Sequence, residues 1–445
     1  MANITYTKSV PLRYEVDVFI AGGGPAGVAA AVAASRNGSS VFVAEAFSAF
    51  GGAGVSMLVP AFMQFTNGVD FLAGGIGKEV YDYLKDNSPD AYKTYCPTSI
   101  PVETLKLCYD EMIEKAGVQH IFHTTVVDAA VTDGVIDYVI CAAKSADGEA
   151  LFAVKAKQYI DCTGDGDLAV YAGAETEYGD EEGRVMATTL CGIWAGIDWS
   201  RVQKPDNRKM DEAFADKVFT NEDRHLPGMW RLANVGTDGI GGSNAGHIYD
   251  INGGDAESLT KGIEAGRKQL LEYRKYYREY LDGYENAELL YSASWMGIRE
   301  SRRIVGDYRM VLDDFVNRAS FDDEIGRYCY PVDIHSPTND KAGYEKFASE
   351  HKGYRYSKGE SYGIPYRALA VKGLKNLLTA GRCISCDRYM QSSVRVMPGC
   401  YITGQAAGMA ASMAAQGSGD VHAIDVHELQ GKLKAMGAFL PNYKD

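Results

Sequence analysis

No apolar run in this chain approaches the ~20 residues that a membrane-spanning helix requires, so a membrane protein is not expected. The opening residues, MANITYTKSVPLRYEVDV, lack the basic segment followed by an apolar one that marks a secretory leader, and the expected location is the cytoplasm. Basic residues are in the minority, 45 Lys and Arg against 59 Asp and Glu, and the net charge of −14 repels phosphate backbones and anionic lipid surfaces. Nucleic acid and membranes are therefore not expected as partners. The nine cysteines are odd in number and scattered, which suits free thiols in a reducing compartment and not a disulfide framework. No C-x-x-C-x-x-C run gives the spacing of an iron–sulfur cluster, and no repeat or low-complexity segment is evident.

What is present begins at EVDVFIAGGGPAGVAAAVAASRNGSSVFVAE, Glu15 to Glu45. Val16, Val18, Phe19 and Ile20 form an apolar run without polar alternation, the pattern of a buried parallel strand. Gly22, Gly24 and Gly27 then fit G-x-G-x-x-G: a sharp turn, a close backbone approach to a pyrophosphate, and tight packing of the next helix on the strand. That helix, Pro25 to about Arg36, turns free N–H groups and its positive dipole end toward whatever lies over the glycines. A second run, Val41 to Ala44, ends in Glu45, whose carboxylate is 23 residues after Gly22 and suits an adenosine ribose hydroxyl. Strand, glycines, helix, strand and acid in this order predict a dinucleotide site, and no second such motif is convincing.

At 445 residues the chain exceeds one ordinary core, and two intimately joined domains are expected. The stretch after Glu45, SAFGGAGVSMLVPAFMQF, is apolar and small-residue-rich, a loop able to lie against a flat cofactor or a plain buried connector. Pro101 to Lys115 has helical spacing and reads as a crossover helix. Runs from Gln119 to Lys155, broken at Asp133-Gly134 and Asp147-Gly148, predict an antiparallel meander, and Gln158 to Asp161 a returning strand. Asp161, Asp165 and Asp167 follow it, but without the later Glu of a calcium loop no metal site is expected. Residues 175–375 hold all four Trp and read as a substrate or cap domain between residues 1–174 and 376–445. Within them, Gly236 to Asp255 reads as a glycine-rich loop that is mobile or cofactor-facing, and about Glu257 to Tyr280 as a long helix. Leu374 to Ala380 reads as a last strand, and Pro398 opens an apolar helix running to about Ala415.

With AGGGPAGVAAA (Ala21 to Ala31), DCTGDGDLA (Asp161 to Ala169), MGIRESRRIVGDY (Met296 to Tyr308), IPYRAL (Ile364 to Leu369) and NLLTAGRCIS through RVMPGCYITGQAAGMAA (Asn376 to Ala411), the chain resembles the FAD-dependent oxidoreductase family of the glutathione-reductase-like flavoproteins. That group includes the flavoprotein subunits of heterodisulfide and fumarate reductases. The resemblance implies an α/β fold: a Rossmann-like FAD-binding domain with a β-meander insert, and a mixed α+β substrate domain inserted in the chain. It implies FAD as cofactor, with contacts at Gly22, Gly24, Pro25, Ala26, Gly27, Glu45, Gly52 and Val126. Further along it implies contacts at Gly164, Asp165, Gly381, Arg382, Arg395 and Gly404. The helix after Pro398 is implied to aim its N-terminus at the flavin ring, where a dipole stabilises negative charge. Many relatives have Gly-Asp where this chain has Gly381-Arg382.

The expected chemistry is hydride transfer between flavin N5 and a small polar substrate, hydroxyl-bearing or unsaturated. The alternative is an electron-transfer subunit of the heterodisulfide-reductase type, working with a partner and an iron–sulfur cluster. Arg299, Arg302 and Arg303, at spacings of three and four, are read as one helix face gripping substrate or, equally, as a salt-bridge cluster with Glu300 and Asp307. Arg367 and Arg395 are further donors. His247 and His335 are the candidate proton acceptors, since histidine has the right ordinary pKa, with a structural role the open alternative for each. Cys383 and Cys386 form C-x-x-C at a flavin-side turn. Homo-oligomerisation and the electron acceptor stay open.

Overall fold

Val16 to Ile20 fall in β1 (Leu12–Ala21), whose C-terminal half is buried, as a central parallel strand requires. After the glycine turn, α1 (Pro25–Arg36) starts with proline in its first turn and is buried from Pro25 to Ala34. β2 (Val41–Ala44) lies parallel to β1. The chain then passes through α2 (Gly52–Val55), α3 (Ile76–Asn87) and α4 (Val102–Lys115) to β3 (Gln119–Ile121), parallel to β2. β4 (Thr124–Thr132), β5 (Val135–Ala143) and β6 (Leu151–Asp161) form the antiparallel meander. The computed structural model describes residues 3–444 apart from 89–97, 147, 205, 223–227, 233–237, 340 and 351–352. The expected turn residue Asp147 and residues 236–237 of the glycine-rich stretch lie outside the described residues.

One expected break is absent: the meander's last strand and the returning strand are a single element. β6 spans 11 residues, pairs antiparallel with β5 through its first half and parallel with β1 along nearly its whole length. The meander is thus joined edgewise to the parallel sheet, in the order β3-β2-β1-β6-β5-β4. Continuous pairing keeps the polar Lys155 and Lys157 outward while Ala156 and Gln158 turn inward, so alternation in the strand's middle had the look of a gap.

Beyond β7 (Thr176–Tyr178), the strands β8 (Gly192–Ala195), β9 (Met229–Arg231), β10 (Gly241–Ser243) and β11 (Glu288–Ser292) make a second, antiparallel sheet in the order β11-β8-β10-β9. The glycine-rich stretch read as a loop therefore supplies a strand. A Cβ on Gly241 would sit 2.6 Å from Ile197 and one on Gly242 2.6 Å from Pro60, so close packing, not strand propensity, decides it. α5 (Ala256–Tyr280) is capped by Asp255, which accepts from Ser258 N–H, and buries Leu259, Gly262, Gly266, Leu270, Tyr273 and Tyr277 against this sheet. Trp194, Tyr276 and Met296 complete that second core.

The arginine stretch is not helical. Met296 to Ser301 is irregular apart from a single bridge between Gly297 and Thr189, and β12 (Arg302–Ile304) pairs with β7. β13 (Glu324–Tyr328) and β14 (Tyr362–Pro365) pair and pack on the first core, and β15 (Leu377–Thr379) joins β6 in parallel at Tyr159 to Asp161. α6 (Met397–Gln416) then lies directly on α1. A Cβ on Gly404 would come within 2.2 Å of Ala26 O and one on Gly408 within 2.1 Å of Ala30 O, so the two backbones touch. Gly404 was expected at the cofactor; it is a packing residue. Gly404→Val forces these helices apart, and overpacking of this kind typically costs about 1–3 kcal/mol. The expected outcome is a melting temperature several degrees lower, or insoluble protein; a wild-type melting curve would contradict the helix contact. Among the described residues no helix is long and apolar enough to cross a membrane.

Candidate active site

The three motif glycines have separable roles. Gly22 adopts φ +92, and a Cβ there would meet Cys162 O at 2.7 Å; one on Gly27 would lie 1.9 Å from Gly22 O. At Gly24, by contrast, no described atom lies within 4 Å of the place a Cβ would take. That open side belongs to a cavity of about 330 Å³, within the range of small-molecule sites. Gly24, Pro25 and Ala26 line it on one side, Gly52, Met57, Val59 and Met63 on another, and Gly381, Arg382, Val396 and Met397 on a third. The starts of α1 and α6 both open on it, and neither is capped by a described side chain. Two helix N-termini aimed at one space suit a ligand with a diphosphate and a second anionic centre.

The opposite wall is polar. His335, Asp333, Tyr330, Arg395, Arg299 and Asn244 line it. Asp333 Oδ2 lies 3.5 Å from His335 Nε2 and 3.4 Å from Arg395 Nη2, and accepts from Tyr330 Oη at 3.3 Å. On its other side His335 Nδ1 is 2.9 Å from Nε2 of His247, which is 1% exposed and sits behind the cavity wall. The loop carrying His247 is anchored by Gln269, which donates to its carbonyl at 3.1 Å, and by Thr189, which donates to Gly246 O at 2.7 Å. Burial, reinforced by Arg299, drives the His335 imidazole well below its ordinary value, against the opposing pull of Asp333. Burial works to raise the Asp333 carboxyl, but His335, Arg395 and Arg299 hold it well below the usual carboxylate range. The pair is thus a neutral imidazole beside an ionised carboxylate.

A family profile described as FAD dependent oxidoreductase matches residues 17–433, nearly the whole length. The chain belongs to the FAD dependent oxidoreductase family. It is an oxidoreductase that uses FAD, and the open Gly24 cradle with two uncapped helix starts fits that cofactor. Similar solved structures include a geranylgeranyl bacteriochlorophyll reductase-like protein from Thermoplasma acidophilum, at 11% identity over 95% of this chain and 83% of that one, TM-score 0.44. The flavin-dependent brominase Bmp2 gives 12% identity over the same shares, TM-score 0.45. The p-nitrophenol 4-monooxygenase PnpA from Pseudomonas putida gives 15% identity over 67% of this chain and 71% of that one, TM-score 0.40. Among curated protein sequences none matches.

In this oxidoreductase the sequence-predicted residues divide. Gly24, Pro25, Ala26, Gly52, Gly164, Gly381, Arg382, Arg395, Arg299 and His335 all line the cavity. Glu45 stands beside the glycine turn, where its carboxylate accepts from Gly23 N–H at 2.5 Å and from Phe47 N–H at 2.8 Å, and burial raises its pKa. Val126 is buried on β4 with Ile136 and Phe152, off the cavity. Arg382 forms an ion pair with Asp165 at 2.8 Å, so a carboxylate reaches the turn after β15 from another loop although this chain has no Gly-Asp pair there. Asp161 and Asp167 go elsewhere: Asp161 accepts from Thr163 and Ala169, and Asp167 pairs with Arg302.

The three arginines do not act together. Arg299 donates to Ala187 O at 2.9 Å, Thr189 Oγ1 at 2.7 Å and Asn244 Oδ1 at 3.2 Å at the cavity wall. Arg302 turns to Asp167 and Asp165 O, and Arg303 is buried on Glu300 at 2.8 Å. Neighbours in a strand point to opposite faces, which a helical reading of R-E-S-R-R inverts. Arg302 is therefore a structural ion-pair residue. Arg367 pairs with Asp323 at 3.0 Å, away from the cavity. Cys383 and Cys386 are free and buried in different cores, Cys383 beneath the meander and Cys386 with α6. Asp333 and Tyr330 escaped the sequence reading, although Asp333, two residues before His335 in YPVDIHSP, was the signal that could have found the pair.

Proposed function

We propose that this oxidoreductase carries out the two-electron oxidation or reduction of a small polar substrate, hydroxyl-bearing or unsaturated, in the cavity between the glycine cradle and the histidines. Bound over the cradle, FAD supplies the hydride acceptor or donor. The observation that carries the reading is Asp333 with His335 on the same cavity as Gly24 and the start of α6. A hydroxyl that is oxidised must release a proton and a double bond that is reduced must take one up, and the Asp333–His335 pair exchanges it. Asp333 orients that ring, Arg299 and Asn244 bind substrate oxygens, and Met57, Val59 and Met63 keep water from the reacting face. We also group the chain with the glutathione-reductase-like flavoproteins, a reading supported by the succession β1, glycine turn, α1, β2, Glu45 and by the meander joined to that sheet.

The test is anaerobic titration of the purified yellow protein with panels of polyols, sugars, hydroxy acids and, after chemical reduction of the flavin, unsaturated acids. At least one class is expected to bleach or restore the flavin absorbance stoichiometrically. Absence of any response, together with iron and acid-labile sulfide near one cluster per chain, overturns the reading and favours the electron-transfer subunit.

A further inference from the structure

His335 is not the end of its hydrogen-bond chain. Behind it, His247 Nδ1 lies 3.4 Å from Tyr249 Oη, and Tyr249 is partly exposed and outside the cavity lining. Three groups therefore run in file from the cavity through a fully buried imidazole to a phenol at the outer side. Their protonation states follow from one anchored charge. The ionised Asp333 requires a proton on His335 Nε2, the nitrogen that faces it. His335 is neutral, so its Nδ1 is left as an acceptor, and the 2.9 Å contact obliges His247 to donate from Nε2. His247 Nδ1 is then an acceptor in turn, and Tyr249 O–H donates to it. Every donor in the file points inward.

We propose that Tyr249, His247 and His335 form a proton relay that feeds the cavity from the outer side of the protein. When His335 gives its Nε2 proton, by way of the Asp333 carboxylate that it faces, to the substrate atom bonded to the one that has received hydride, His335 Nδ1 takes the Nε2 proton of His247. His247 Nδ1 takes the hydroxyl proton of Tyr249, and the phenolate regains one from solvent. One proton enters as one is consumed, no group in the file keeps a net charge, and the opposite half-reaction, in which a hydroxyl is oxidised and its proton leaves, runs the file backward and restores the starting tautomers. A buried imidazole isolated from solvent would otherwise have to be recharged through the cavity while substrate fills it. His247 and Tyr249 are relay residues and do not touch substrate.

The inference rests on His335 as the exchanging group, and the experiment separates the two. Holoenzyme labelled with ¹⁵N-histidine contains eight histidines, and the wild type is expected to give two buried Nε2–H tautomers, assigned by His335→Gln and His247→Gln. Tyr249→Phe removes only the hydroxyl; it should shift His247 Nδ1, slow the substrate-linked flavin step about tenfold, and recover most of that rate with added imidazole buffer. His247→Gln should slow it further, with the same rescue if it folds. Nδ1–H tautomers, or Tyr249→Phe and His247→Gln at wild-type rate while His335→Gln is slow, overturn the relay and leave the proposed function standing. A wild-type rate in His335→Gln overturns the proposed function itself.

Discussion

Gly24→Val is expected to give a folded, colourless protein, whereas Gly27→Ala is expected to fail in folding. The two positions are three residues apart in one motif and differ in what a side chain meets. At Gly24 a Cβ enters open space in the cavity, so the substitution leaves every described contact of β1 and α1 intact while filling the path of a diphosphate. At Gly27 even a methyl group would come within 1.9 Å of Gly22 O, and α1 would have to lift off the strand on which the first core is built. Far-ultraviolet circular dichroism, melting temperature and flavin absorbance of the two variants decide the matter. A folded Gly24→Val protein with full flavin content would remove the cofactor from this cradle.

His335→Gln should cut the substrate-linked rate at least ~100-fold, the range for loss of a general acid–base group, with little change in melting temperature near neutral pH. Arg299→Met should cost a similar factor as one charge-stabilising donor is lost. Their pH profiles separate them. His335 has a folded pKa below its ordinary value, so its neutral form persists through the neutral range and the acidic limb of the profile lies below about 6.5. Arg299 is one cause of that lowering, and Arg299→Met should move the limb toward neutrality; Asp333 opposes it, and Asp333→Asn should move the limb to lower pH. Asp333→Asn should also lower stability, since the buried Arg395 guanidinium loses its counter-ion. Linkage has the matching sign: the unfolded chain takes up the His335 proton first, so this group's contribution to stability is present above the unfolded pKa and is lost as pH falls below it. Unchanged limbs in both variants would place the titrating group elsewhere.

The sequence by itself determined β1, the glycine turn, α1, β2 and α6, because each is decided by neighbours within a few residues. Proline and alanine start and fill α1, glycine permits φ +92 at Gly22, and an unbroken apolar run can only be buried. It also marked His247, His335, Arg299 and Arg395 as candidate chemistry by residue type. Only the tertiary structure decided which of them meet. The two histidines are 88 residues apart in the chain and touch because the loop after β10 is pinned to α5 while the other comes off β13. Met296 to Ile304 satisfies helical spacing as well as it satisfies a strand, and the choice fell to β7, which stands more than a hundred residues earlier and offers β12 a free edge. Gly404 read as a cofactor contact for the same reason: a glycine's use depends on what approaches its missing side chain, and here the approaching group is the backbone of α1.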